Sequence, residues 1–131
     1  MNQTTMSETE LLIEYAKCWN NLDVSFIMEL LDDDLEYTSQ WVLETMYGKN
    51  TYLKYLSGKF TSIRNGKGSP KAELGYYKYA PLGEKKPCLV LAQDDVKVAI
   101  LAEAKNGKLS KINMVGIPSP NNAILFDFVP K

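Results

Sequence analysis

The apolar residues of this chain change period partway along it, and that change constrains the fold more than any other feature. Up to about residue 63 they recur mostly at three- and four-residue steps, and beyond residue 70 they sit in short strand-like runs separated by turns. Helical segments followed by a run of strands imply an α+β architecture rather than a parallel, doubly wound one. With 131 residues, 45% of them hydrophobic and 24% charged, the chain can bury the core of one domain without disulfides or a structural metal.

The first helix has a clear start. Ser7-Glu8-Thr9-Glu10 has capping-box spacing, and Met6 with Leu11 can form a hydrophobic staple. Leu12, Tyr15, Ala16 and Trp19 then form one apolar stripe, broken at Asn20-Asn21. Asp23 is expected to cap a second, short helix with Phe26, Ile27, Leu30 and Leu31 on its buried side. Asp32-Asp33-Asp34 would end that helix as a solvated turn, because the three acids lack the ligand alternation and glycine of a calcium loop.

Leu35 to Trp41 alternates, with Leu35, Tyr37, Ser39 and Trp41 on one face, as in a half-buried strand. After Tyr47-Gly48, Tyr52, Leu53, Tyr55, Leu56, Phe60 and Ile63 predict a third helix over 49–63. Four strands are expected near 71–80, 88–93, 96–105 and 108–117. Asp94-Asp95 and Asn106-Gly107 serve as tight turns, the latter of type I′, while Pro81, Gly83 and Pro87 mark a looser connection. The segment 118–131 contains Ile124, Leu125, Phe126, Phe128 and Val129. It is expected to pack as a tail, on the domain or on a partner.

Composition excludes several kinds of chemistry. The chain has no histidine, which removes Ser-His-Asp and Cys-His catalysis and histidine-containing zinc or iron sites. No metal and no cofactor is expected. A net charge of -1 offers no footprint for nucleic acid. The absence of a basic leader or a long apolar run argues against a secretory signal and a membrane span. A cytoplasmic location with two reduced thiols, Cys18 and Cys88, follows as the expectation.

Tyr15-Ala16-Lys17-Cys18-Trp19-Asn20-Asn21-Leu22-Asp23, then Leu30-Leu31-Asp32-Asp33-Asp34-Leu35-Glu36-Tyr37, and Gly48 opening a helix, resemble the nuclear transport factor two-like (NTF2-like), or cystatin-like, superfamily. Within it they resemble the SnoaL-like and ketosteroid isomerase-like proteins. The resemblance spans roughly residues 8–117. It implies a cone in which about three N-terminal helices pack on a curved, mostly antiparallel sheet, and a cavity for a small apolar or aromatic molecule. It also implies a homodimer. The superfamily contains isomerases, dehydratases, hydrolases, cyclases and non-enzymatic modules, so the fold alone assigns no reaction.

The candidate pocket residues are Tyr15, Trp19, Tyr37, Ser39, Trp41, Tyr52, Tyr55 and Leu101: an apolar lining with hydroxyl handles. Core filling is the competing reading of the same aromatics. Compared with ketosteroid isomerase, Tyr15 resembles the oxyanion tyrosine, but Ser39 stands where the base would be and Leu101 where the second acid would be. That mechanism is therefore disfavoured. The histidine-dependent cyclases and dehydratases fail on composition, and the Asp-Arg-Asp epoxide hydrolases fail because the single arginine, Arg64, ends the third helix.

Tyr15, Ser39 and Glu103 remain as catalytic candidates. For Glu103 two strand parities stay open: apolarity puts Val98, Ile100 and Ala102 inward and Glu103 outward, whereas the family comparison puts Leu101 and Glu103 toward the cavity. The expected function is small-molecule binding, with a histidine-free isomerase- or lyase-like activity as one form of it. A non-catalytic homodimeric module is the alternative.

Overall fold

A computed structural model of the protein describes residues 6–39, 42–66, 70–79, 84–93, 96–116 and 123–125. Helix α1 spans Glu8–Asn21. The Ser7 hydroxyl accepts from the Glu10 N–H at 3.2 Å, and the Ser7 N–H donates to the Glu10 carboxylate at 3.0 Å, which completes the capping box. The helix ends at Leu22, in the left-handed region at φ 53°. The Leu22 carbonyl accepts a hydrogen bond from the Arg64 guanidinium, so the single arginine ties the end of one helix to the end of the other.

The expected second helix is a single 3-10 turn, Val24–Phe26. Asp23 does cap it, accepting from the Ser25 N–H at 2.9 Å, but sheet pairing then takes the chain. Ile27 and Leu30 donate to carbonyls three residues back, and the Leu30 carbonyl accepts from the Leu109 N–H at 2.8 Å. Strand β1 therefore begins at Leu31 and runs Leu31–Ser39. Asp32, Asp33 and Asp34 are strand residues rather than a terminal turn, and the structure contains two α-helices, not three, among the described residues.

The remaining elements are β2 (Val42–Tyr47), α2 (Lys49–Asn65), β3 (Lys71–Tyr79), β4 (Glu84–Gln93), β5 (Val96–Lys105), β6 (Lys108–Gly116) and β7 (Ala123–Leu125). Pro87, expected in a connection, lies within β4 opposite Tyr76. The hairpin at Asn106-Gly107 has φ 54° and 76°, the two positive values a type I′ turn requires. Trp41, the Asp94-Asp95 turn and all of the tail except β7 fall outside the described residues.

One sheet, ordered β2-β1-β6-β5-β4-β3-β7, carries both helices on the same face. All its pairs are antiparallel except β1 with β6. Alternation along the strands separates the two faces. Leu35, Tyr37, Ile112, Met114, Val98, Ile100, Ala102, Leu89, Leu91, Ala72 and Leu74 join the core with Leu11, Leu12, Tyr15, Trp19, Tyr52, Leu56 and Phe60. Cys88, Val90 and Leu101 form a separate small cluster on the opposite face. Parity within β5 is thus the one apolarity favours: Val98, Ile100 and Ala102 face the helices, and Leu101 and Glu103 face away.

Candidate functional site

The helix-facing side of the sheet holds an aromatic cage. From α1, the four-residue step between Tyr15 and Trp19 places both rings on the buried stripe, edge to face with centroids 6.5 Å apart. From α2, Tyr52, Tyr55 and Phe60 approach the same region, and β1 supplies Tyr37. Phe60 meets Trp19 at 5.0 Å, and Tyr37 lies 4.8 Å from Tyr52 and 5.6 Å from Tyr55. Tyr15, Trp19, Tyr37, Tyr52 and Phe60 are all buried, at 0–2% exposure, whereas Tyr55 is half-buried with Lys59 Nζ 6.0 Å above its ring.

The polar groups of the cage are almost all phenols. The Tyr15 and Tyr52 hydroxyls share a buried hydrogen bond, and the Tyr37 hydroxyl donates to Met114 Sδ at 4.0 Å, a weak contact. Ser39, buried, lies beside the Tyr37 hydroxyl. Burial pushes the ionisation of Tyr15, Tyr37 and Tyr52 well above the ordinary phenol range, and the neighbouring phenols push Tyr37 and Tyr52 further. The hydroxyls therefore stay protonated at neutral pH and act as donors rather than bases. Burial likewise pushes the Cys18 and Cys88 thiols up to about 12, so these buried free cysteines are inert fillers.

Of the sequence candidates, Tyr15, Trp19, Tyr37, Ser39, Tyr52 and Tyr55 come together, and two others do not. Leu101 packs with Cys88 and Val90 on the outer face. Glu103 is exposed on that same face, where it cannot serve as an acid of the cage. The reason is the strict alternation of β5, which turns every second side chain away from the helices. Sequence reasoning placed Phe60 on a helix stripe but missed it as the ring against Trp19. It also missed Met114, whose inward parity on β6 was the available signal.

The outer face carries a second feature, a depression of about 250 Å³ lined by Glu36, Thr38, Leu101, Glu103, Lys111 and Asn113 among others. Lys111 is in register with Glu36 on one side and Glu103 on the other, and Thr38 Oγ1 donates to Asn113 Oδ1 at 3.0 Å. No three histidine, cysteine or acidic residues gather as metal ligands among the described residues. No helix among them is long and apolar enough to cross a membrane.

No protein-family model and no curated protein matches the sequence. Solved structures do. An NTF2-like protein of unknown function from Cytophaga hutchinsonii superposes with a TM-score of 0.61 at 11% identity, covering 92% of this chain and 98% of that one. This is the NTF2-like fold. A LEH-like epoxide hydrolase from M. tuberculosis matches with a TM-score of 0.56 at 13% identity, over 84% of this chain and 82% of its own. A steroid delta-isomerase from Pseudomonas aeruginosa matches with a TM-score of 0.51 at 14% identity, over 86% and 80%. At such identities the likeness is one of fold, and neighbours named for different activities leave the chemistry to the residues of the site. In this fold the phenols converge on the side of the sheet that α1 and α2 cover.

Proposed function

We propose that the protein binds a small apolar or aromatic molecule in the interior of its NTF2-like cone, using the phenol hydroxyls to orient a polar group. The observation that carries this reading is the Tyr15–Tyr52 hydroxyl pair, buried inside a cage of aromatic rings with Tyr37 beside it. An apolar lining with a few convergent hydroxyls suits a small-molecule site. Such a site binds rather than transfers protons. The buried phenols of Tyr15, Tyr37 and Tyr52 are held neutral, and Glu103 lies on the other face of the sheet. Ligand entry requires ring movement, for which the half-buried Tyr55 is the outermost ring of the cage.

The test is thermal unfolding and calorimetry with a panel of aromatic, steroidal and polyketide-like compounds. A ligand at 100 times its dissociation constant adds about 2.7 kcal/mol of stability, an increase that raises the unfolding midpoint by several degrees for a chain of this size. Tyr15→Phe and Tyr52→Phe are expected to weaken binding of the compounds that shift the wild type. A panel without a single shift would remove the reading.

The outer face supports a second reading, association with a second copy. The rung Glu36–Lys111–Glu103 carries both signs of charge and is joined by no ion pair among the described residues, so it can pair with itself across a two-fold axis. Sedimentation as a monomer at micromolar concentration, unchanged by salt, would count against it.

A further inference from the structure

We infer that the molecule held in the cage carries an oxygen that accepts a hydrogen bond, and that the indole N–H of Trp19 is the donor that selects it. The inference rests on the interior binding site proposed above. Among the described residues, Trp19 Nε1 is the one buried side-chain nitrogen or oxygen without a hydrogen-bond partner, in a residue 1% exposed. Buried donors are rarely left unpaired, because their lost hydration is not otherwise replaced.

The nearest polar groups are phenols, whose oxygens can accept as well as donate. Indole nitrogen can only donate, and the Tyr15–Tyr52 pair has two hydroxyl hydrogens, of which the contact between them uses one. The Trp19 N–H lies close enough to the Tyr15 oxygen to favour its ionised form, yet it is not in hydrogen-bonding geometry with it. Two donor groups, the indole N–H and the spare phenol hydrogen, therefore lie among apolar rings, with Phe60 packed edge-to-face with the indole. A ketone, ester or similar oxygen on an aromatic body satisfies them. An amine or an oxygen-free hydrocarbon does not, and Trp19 is by this argument a specificity-determining residue rather than core packing alone.

Two isosteric probes separate the possibilities: 2-acetylnaphthalene, which presents a carbonyl, and 2-isopropenylnaphthalene, which has a CH2 group in place of that oxygen. Affinities are measured by calorimetry on the full chain and on Trp19→Phe, which keeps an aromatic ring and loses the N–H. The indole proton of Trp19 is followed by NMR in the wild type and assigned with Trp41→Phe.

The expected result is about tenfold tighter binding of the carbonyl compound, the ratio one net hydrogen bond supplies. That ratio should fall to near one in Trp19→Phe, and the Trp19 indole proton should move downfield only with the carbonyl probe. If Trp19→Phe does not fold, the wild-type ratio and the indole shift decide the matter. Equal binding of both probes with an unmoved indole proton overturns the inference and leaves the cage as a non-selective apolar site; a water found on Nε1 in a crystal structure would then be its partner. If neither probe binds and the indole proton is unmoved, both the selectivity and the interior-site reading fall.

Discussion

Replacing Asn20 by alanine tests how the first helix is anchored to the sheet beneath the cage. Asn20 stands one residue after Trp19, and its side chain takes both backbone groups of Ala72. The amide donates to the Ala72 carbonyl at 3.1 Å, and the amide oxygen accepts from the Ala72 N–H at 2.7 Å. It thus occupies the place a neighbouring strand would take. The described residues of β7 pair with Gly75, Tyr76 and Tyr77 only, so no strand among them covers Ala72 on that side, and Ala72 itself is 0% exposed.

Truncation removes two hydrogen bonds and strands a buried N–H and C=O. At about 1–3 kcal/mol for each unsatisfied group, moderated by any water that enters, the expected loss is about 3 kcal/mol. That is a large share of the 5–15 kcal/mol typical of a domain. With a urea slope of about 1.5 kcal/mol/M, the midpoint should fall by about 2 M. Asn21→Ala is the control, because that amide only donates to the Lys17 carbonyl of its own helix, in an exposed position, and its effect should stay within about 0.5 kcal/mol. Asn20→Asp, which keeps the acceptor and loses the donor, should fall between the two. Equal and small losses for Asn20→Ala and Asn21→Ala would refute the reasoning.

Alkaline pH should unfold the protein cooperatively. Tyr15, Tyr37, Tyr52, Cys18 and Cys88 all have folded-state ionisations raised by burial, so the unfolded chain releases these protons first. Stability is then constant below the unfolded values, near 9 for thiols and 10 for phenols. Above them it is lost at about 1.4 kcal/mol per group per pH unit. Part of the tyrosinate absorbance should therefore appear only together with the loss of circular dichroism above pH 10, and complete ionisation of the eight tyrosines before any loss of structure would contradict the burial argument. Gly107→Ala should cost about 1 kcal/mol in urea unfolding, because its φ of 76° lies where a Cβ is strained, whereas Asn106→Gly should be tolerated.

The capping box at Ser7, the stripe of α1, the α2 stripe from Tyr52 to Ile63 and the Asn106-Gly107 turn were legible because each is a local device. Its energetics depend on neighbours within a few residues, so the sequence states it directly. The second helix was not legible. Asp23 and the apolar residues after it are locally consistent with a helix, and only the pairing of β1 with β6, near Leu109, decides that the chain extends from Leu31.

The cage shows the same division. Sequence by itself determined that Tyr15 and Trp19 share a helix face, that Tyr37 and Ser39 share a strand face, and that no histidine is present to do acid–base work. Tertiary structure alone decided that the Tyr15 and Tyr52 hydroxyls meet, that Phe60 closes on Trp19, and that the Trp19 N–H is left without a hydrogen-bond partner. It also decided that Glu103 belongs to the other side of the sheet. The physical reason is that helix and strand periods assign side chains to faces, whereas which faces meet depends on contacts between residues far apart in the chain.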